Sequence, residues 1–417
     1  MIRSLMTPQR VSSLFTLVLV LALSFALAPS TSAEEWKRVE NSADPKESPL
    51  TISLEEQWRL GGETDDEDEF FGVINRILLD EDGTLFVLDN QLSEVKVYDA
   101  DGSFLTTLGR EGEGPGEFRG PVDMFFTPDG NVGVMQVAPG KIVLLSKDGE
   151  PQGEYPLPEG EDGSTPILLG GRLMGDYLAL AGQENIMGEG KFTMVRYLAV
   201  IDKEGNEVER MHSEERVFEF ANAVIDERVW DTFDRRWAVG DDESVYAVTS
   251  FPDYEIKVWN ADGSKKHMIT REYEHRPRSQ EEIDRIHSIY EAFTRQAPGA
   301  VVKIGDAYKD IQTIYPREDG SLWVLSSDGQ HDCPDDALGT FDVFNRKGKF
   351  VRQVTLMGEG DPNEDAYFFV RDRVYVVTGF LSAAMAAQGG GTGEDVDEDA
   401  APMAVICYQI DVPDMGM

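Results

Sequence analysis

The chain has 417 residues, 41% of them hydrophobic, which allows a sizeable core and separates it from disordered chains. Its formal net charge of −40 repels nucleic acid and anionic lipid. The acid is spread through many loops, so it reads as surface solvation that also favours cations or basic partners.

The N-terminus comes first. Arg3 and Arg10 form a positive region, Leu14 to Ala28 is apolar, and small residues lead to Ala33 ahead of Glu34-Glu35. Residues 1–33 therefore read as a signal peptide, with an uncleaved anchor as the alternative. The apolar run is short for a membrane span, which takes about 20 residues. The expected address is secreted or periplasmic, with no integral membrane segment once the signal is removed. Residues 34–48 read as a flexible segment, 49–412 as one domain and 413–417 as a tail.

Internal repeats decide the fold. Glu94 to Gly102 (EVKVYDADG) has a near copy in Glu255 to Gly263 (EIKVWNADG), and looser copies end at Gly149, Gly205 and Gly348. Each is an apolar strand broken by a polar turn, where Gly accepts the positive φ of a hairpin. A second turn precedes each, at Asp82-Gly83, Asp129-Gly130, Gly170-Gly171, Asp241-Asp242 and Asp319-Gly320. The unit is four antiparallel strands with a period of about 50 residues, which is a propeller blade.

Blades are expected over Ile74 to Leu108, Val122 to Leu157, Pro166 to Met211, Trp237 to Thr270 and Ile311 to Leu356. Insertions interrupt the third (Gly182 to Lys191) and the fifth (Ser327 to Leu338). The sixth has three strands, Tyr367 to Val370, Val374 to Gly379 and Met403 to Ile410. Leu54 to Gly61 repeats the apolar-Gly pattern of Phe104 to Gly109 and supplies the fourth. The expected fold is an all-β, six-bladed β-propeller closed by its N-terminal strand, which pairs edges otherwise left open.

The segment Leu108 to Phe118 (LGREGEGPGEF), followed by Pro121, resembles the inter-blade connection of the NHL-repeat family. Gly83 to Asp89 and Val95 to Gly102 extend the likeness over about 71–150, and Asp89 matches that family's recurrent Asp after the second strand. The resemblance implies a propeller. Its members include protein-binding scaffolds and a few propeller lyases and lactonases, so it leaves activity open.

Several segments depart from the repeat. Ser279 and Glu282 have capping-box spacing, and Ile283, Ile286, Tyr290 and Phe293 follow at helical spacing. A helix is expected near 279–296, as a lid over one face or as cover for the rim. Thr64 to Glu69 and the Gly-rich stretch from Gln388 to Ala401 are acidic runs without a calcium-loop spacing. Calcium is a weak reading at the Asp-Gly turns as well, since a turn used in blade after blade is structural. No cofactor is otherwise implied.

The histidines form no metal-ligand spacing, and no nucleophile elbow or phosphate loop appears. Cys333 and Cys407 offer one disulfide in an oxidising compartment, or two buried thiols. Polar residues near the starts of innermost strands are the channel candidates: Arg76, Asp123, Arg235, Arg236 and Asp310, beside Asn75 and Gln312. Arginines there suit a carboxylate or sulfate, and carboxylates a cation. Two functions follow. One is a monomeric, non-catalytic binding scaffold for a protein, peptide or glycan. The other is a metal-dependent, lactonase-like propeller hydrolase or lyase with Asp123 or Asp310 among its ligands.

Overall fold

In the computed structural model of the chain, the described residues are 35–64, 66–158, 165–230, 233, 236–294, 299–387 and 402–411. Six antiparallel sheets follow one another in sequence order. Strands are lettered a to d from the first strand of each sheet outward. Blade one is Ile74–Leu79, Leu85–Asp89, Glu94–Tyr98 and Phe104–Leu108. Blade two is Pro121–Phe126, Val132–Gln136, Lys141–Leu145 and Pro151–Tyr155. Blade three is Ile167–Met174, Tyr177–Gly188, Lys191–Asp202 and Glu207–Glu219. Blade four is Trp237–Val239, Val245–Ala247, Glu255–Trp259 and Lys265–Arg271. Blade five is Ile311–Pro316, Leu322–Ser326, Ala337–Phe344 and Phe350–Met357. Blade six is Ala366–Val370, Arg373–Val377, Ala404–Gln409 and, from the other end of the chain, Glu55–Gly61. The all-β six-bladed propeller is thus present as the repeat predicts.

Burial follows strand position. The b strands of blades one, two and five are buried at every residue, because another blade packs on each face. The outermost strand of blade two is exposed over most of its length. The apolar core is divided into clusters between neighbouring blades. Phe86, Leu88, Met124 and Val134 join blades one and two. Ile256, Val258, Val324 and Phe344 join four and five, and Trp323, Phe341, Val376 and Ile406 join five and six. Each such buried side chain contributes roughly 1.5–3 kcal/mol through lost apolar exposure.

The turns satisfy their own side chains. Asp80 Oδ1 accepts from the backbone N–H of Asp82 and Thr84, and its Oδ2 accepts from Lys147 Nζ at 2.7 Å. Asp99 and Asp202 repeat the backbone pattern. Asp89 is fully buried and accepts from Gly72, Val73 and Leu92, so it pins the entry to blade one.

Closure is more extensive than one strand. Glu55–Gly61 pairs antiparallel with Ala404–Gln409, from Ala404 opposite Gly61 to Gln409 opposite Glu55. Before that, Leu50–Ser53 runs parallel along the outer strand of blade five, and Arg38–Asn41 along that of blade four. The segment 34–48, expected to be flexible, therefore contains an ordered edge strand. Backbone pairing and several side chains hold it, among them Arg271, which donates to Ala43 O. Asn41 donates to Thr270 O and Gly348 O at 3.0 Å and accepts from Phe350 N at 2.9 Å, bridging two blades.

The departures from the repeat take definite forms. In blade three, the expected insertion at Gly182 to Lys191 is a continuation of strands b and c, in register from Tyr177 opposite Asp202 to Gly188 opposite Lys191. Strand d follows them outward. Between blades three and five, Val224–Asp226 and Val301–Lys303 form a two-stranded parallel ribbon. Four helices occur among the described residues: α1 (Glu227–Trp230), α2 (Gln280–Thr294), α3 (Ser327–His331) and α4 (Phe380–Ala387). α2 is the expected inserted helix. Ser279 Oγ caps it by accepting from Glu282 N at 3.1 Å, while the Glu282 carboxylate turns to Arg285.

Candidate functional site

The innermost strands carry a repeated irregularity. In blades one, two, three and five the pairing of strands a and b shifts between Ile74 and Arg76, Pro121 and Asp123, Leu168 and Gly170, and Ile311 and Thr313. Such a bulge re-aims the next side chain. Innermost strands of successive blades also contact one another around the centre. Arg76 and Asp123 occupy the same post-bulge position in neighbouring blades.

Arg76 Nε lies 3.7 Å from Asp123 Oδ1. Asp123 is 4% exposed. Its Oδ1 accepts from Met124 N at 2.9 Å, and its Oδ2 accepts from Gly171 N at 3.0 Å and from Arg172 Nη1. Arg172 comes from blade three and stacks over Trp237 of blade four. Gly170 makes room: a Cβ there would stand 3.1 Å from Asp123 Oδ2 and 3.4 Å from the Trp237 ring. Burial lowers the Arg76 guanidinium to about 10, and burial with the nearby Arg76 charge lowers that of Arg172. One carboxylate thus sits between two desolvated cations. Asn75 and Gln312 are turned to backbone, donating to Pro121 O and Lys309 O.

Arg236 lies elsewhere. It donates to Ser250 O at 3.2 Å and lines a cavity of about 240 Å³ with Glu214, Arg216, Arg228, Val229 and Phe251. Arg235 lies outside the described residues. Asp310, 1% exposed, opens blade five and accepts from His275 Nδ1 at 2.9 Å. Burial raises its carboxyl to about 6, against the opposing pull of that hydrogen bond. The candidates therefore do not form one pocket. Arg76 and Asp123 meet, Arg236 belongs to a second site, and Asp310 is paired with a histidine.

Sequence reasoning missed Arg172, Arg216 and the role of His275. Their partners are about 50, 2 and 35 residues distant in the chain, and no spacing rule joins them. The cysteines do not pair. Both are free thiols: Cys407 is buried in the core of blade six, where burial raises it to about 11, and Cys333 donates to Gln330 O beside α3. A wide groove of about 740 Å³ runs past Asp335, Asp336, Glu359, Asp361 and Asp365 at blades five and six. Among the described residues, no group of three or more His, Cys, Asp or Glu is placed to hold a metal ion, and no helix is long and apolar enough to cross a membrane. The signal region 1–33, the stretch 388–401 and the tail 413–417 lie outside the described residues.

A family profile described as 6-bladed beta-propeller matches residues 62–159. The chain is similar in structure to a candidate exported protein from Bacteroides fragilis, at 13% identity and a TM-score of 0.48, over 90% of this chain and 100% of that one. A DUF4221-family protein from Bacteroides vulgatus gives 11% identity and 0.48 over 87% and 99%. Virginiamycin B lyase from Staphylococcus aureus gives 11% and 0.39 over 85% and 99%. No curated protein matches the sequence.

Proposed function

We propose that this six-bladed β-propeller is an exported, non-catalytic scaffold that binds a protein or peptide on the elements added to blade three and to the connection after it. The observation that carries this is apolar exposure concentrated on those additions. Ile186 and Met187, at the tip of the extended hairpin, are 53% and 69% exposed, and Phe220, Val224 and Val301 are 56%, 40% and 53% exposed. Apolar side chains of this kind, grouped on ordered strands, mark interaction surfaces. The N-terminal pattern of Arg3, Arg10 and the apolar run to Ala28 supports export. Within the channel, backbone and Arg172 already engage both oxygens of Asp123, which suits a structural role better than a catalytic one.

The test is capture of a partner from envelope extracts by the intact protein and by a Met187→Asp, Phe220→Asp double variant. Both residues are exposed, so the variant is expected to keep its circular dichroism and Tm. Capture is expected to fall at least tenfold. Equal capture by both proteins would overturn the reading.

A further inference from the structure

We infer that Arg76 and Arg172 form an anion-binding site in the central channel, taking the carboxylate of a small monovalent acid. The site lies on the innermost strands, apart from the exposed apolar residues of blade three. It therefore goes beyond the scaffold reading and stands or falls without it.

The argument begins with position. Arg76 follows the bulge in the innermost strand of blade one, and Asp123 follows the matching bulge of blade two. In blade three the matching residue is Gly170, which has no side chain. Arg172 stands two residues further on, and side chains two apart share a face of a strand. It reaches past Gly170 to Asp123, where a Cβ on that glycine would stand 3.1 Å from Asp123 Oδ2. Three successive blades thus aim two guanidinium groups and one carboxylate at one place.

Charge comes next. Arg76 pairs with Asp123 through Nε at 3.7 Å, and Arg172 pairs with it through Nη1. Among the described residues neither arginine has a second ion pair, so two cations share one anion. Asp123 is fixed, because Met124 N, Gly171 N and Arg172 hold its two oxygens. One positive charge is left over in a chain whose net charge is −40.

Hydrogen-bonding capacity is left over as well. The Arg76 guanidinium forms no hydrogen bond among the described residues, and its Nε is buried without a partner. Arg172 spends Nη1 on Asp123 and on Gly171 O at 2.7 Å. The outward N–H groups of both forks remain for a ligand. Solvent reaches 24% and 22% of these two side chains, yet burial lowers both guanidinium groups. They therefore face an interior channel, where a charge is screened less than in open water.

Shape and charge select the anion. A monoanion neutralises one excess charge, whereas a divalent sulfate would overshoot it beside the fixed carboxylate of Asp123. The guanidinium fork matches the two oxygens of a carboxylate and has no such fit to chloride. Arg172 also stacks over Trp237, so side chains from blades one to four meet here. That crowding limits the ligand to a few heavy atoms.

The experiment titrates the purified full chain with acetate, acetamide, chloride and sulfate at constant ionic strength, reading calorimetric heat and tryptophan fluorescence. Acetate is expected to bind saturably and to change the fluorescence, because Trp237 is stacked with Arg172. Acetamide, chloride and sulfate are expected to bind at least tenfold more weakly. Arg76→Gln removes the excess charge and breaks no hydrogen bond, so it is expected to keep its Tm and to weaken acetate at least tenfold. Arg76→Lys keeps the charge without the fork and is expected to weaken acetate about threefold. No saturable heat with acetate, acetamide, chloride or sulfate binding as tightly as acetate, or undiminished acetate affinity in Arg76→Gln would overturn the inference. If Arg76→Gln does not fold, the ligand series on the unaltered chain and on Arg76→Lys still decides it.

Discussion

Arg271 of blade four and Asp342 of blade five form a buried ion pair, with Arg271 Nη1 2.5 Å from Asp342 Oδ2. Asp342 is fully buried and also accepts from Tyr254 Oη and Gln353 Nε2. Arg271 lies over the rings of Tyr254, Tyr273 and Phe350 and donates to Ala43 O of the N-terminal segment. One guanidinium therefore ties two blades and the edge strand together. Burial pushes the Asp342 carboxyl up, and Arg271 acts against it.

Removing one partner of this pair strands the other charge in the core. Asp342→Ala is expected to cost about 3–5 kcal/mol, whereas replacing both partners with Arg271→Met and Asp342→Leu should cost far less, because neither charge then remains. Urea unfolding of the three proteins measures the difference. A double variant as unstable as Asp342→Ala would show that the pair's contribution lies in its hydrogen bonds to Tyr254, Gln353 and Ala43.

The N-terminal segment makes a second expectation. Leu50–Ser53 and Arg38–Asn41 cover outer edges of blades that already have four strands, but Glu55–Gly61 is the fourth strand of blade six. A chain beginning at Leu54 should fold with a Tm lowered by several degrees. A chain beginning at Gly62 should lose cooperative unfolding, because Ala404–Gln409 would be left as an open edge. Asn41→Ala should reproduce part of the first effect, costing about 1–3 kcal/mol through its three lost hydrogen bonds. Thermal melts of the three proteins decide it, and an intact Tm in the shortest chain would refute the closure argument.

These features were unequally legible. The blades could be read because their turns repeat a local requirement, with Gly83, Gly102, Gly130 and Gly149 all at positive φ. The closing strand could be read because Leu60-Gly61 repeats Leu108-Gly109. The parallel edge strands could not, since Arg38–Asn41 pairs through backbone and carries no alternating apolar pattern. The site was half legible. Arg76 and Asp123 were marked by their place at strand starts, but the bulges that aim them leave no residue signature. Arg236 occupies a matching place yet belongs to another cavity, because strand d of blade three runs on to Glu219 and brings Arg216 to it.

The pair His275 and Asp310 predicts how stability changes with pH. Burial raises the Asp310 carboxyl to about 6, while the hydrogen bond that His275 donates to Asp310 raises His275 above its ordinary value. Asp253 adds negative charge that pushes both the same way. Each group thus binds a proton in the folded chain at pH values where the unfolded chain has released it. The His275 contribution is complete below its unfolded pKa and is lost as pH rises through the folded one. The Asp310 carboxyl takes up its proton between about pH 6 and the ordinary carboxylate range, so it adds stability as pH falls through that window. The two titrate as a coupled pair, and both act in the same direction. Stability relative to Asp310→Asn should therefore rise on acidification from about pH 8 to about pH 5. The other carboxylates titrate alike in both proteins, so the difference between their urea midpoints across that range isolates the pair. Parallel curves would show that His275 and Asp310 titrate as they do in the unfolded chain.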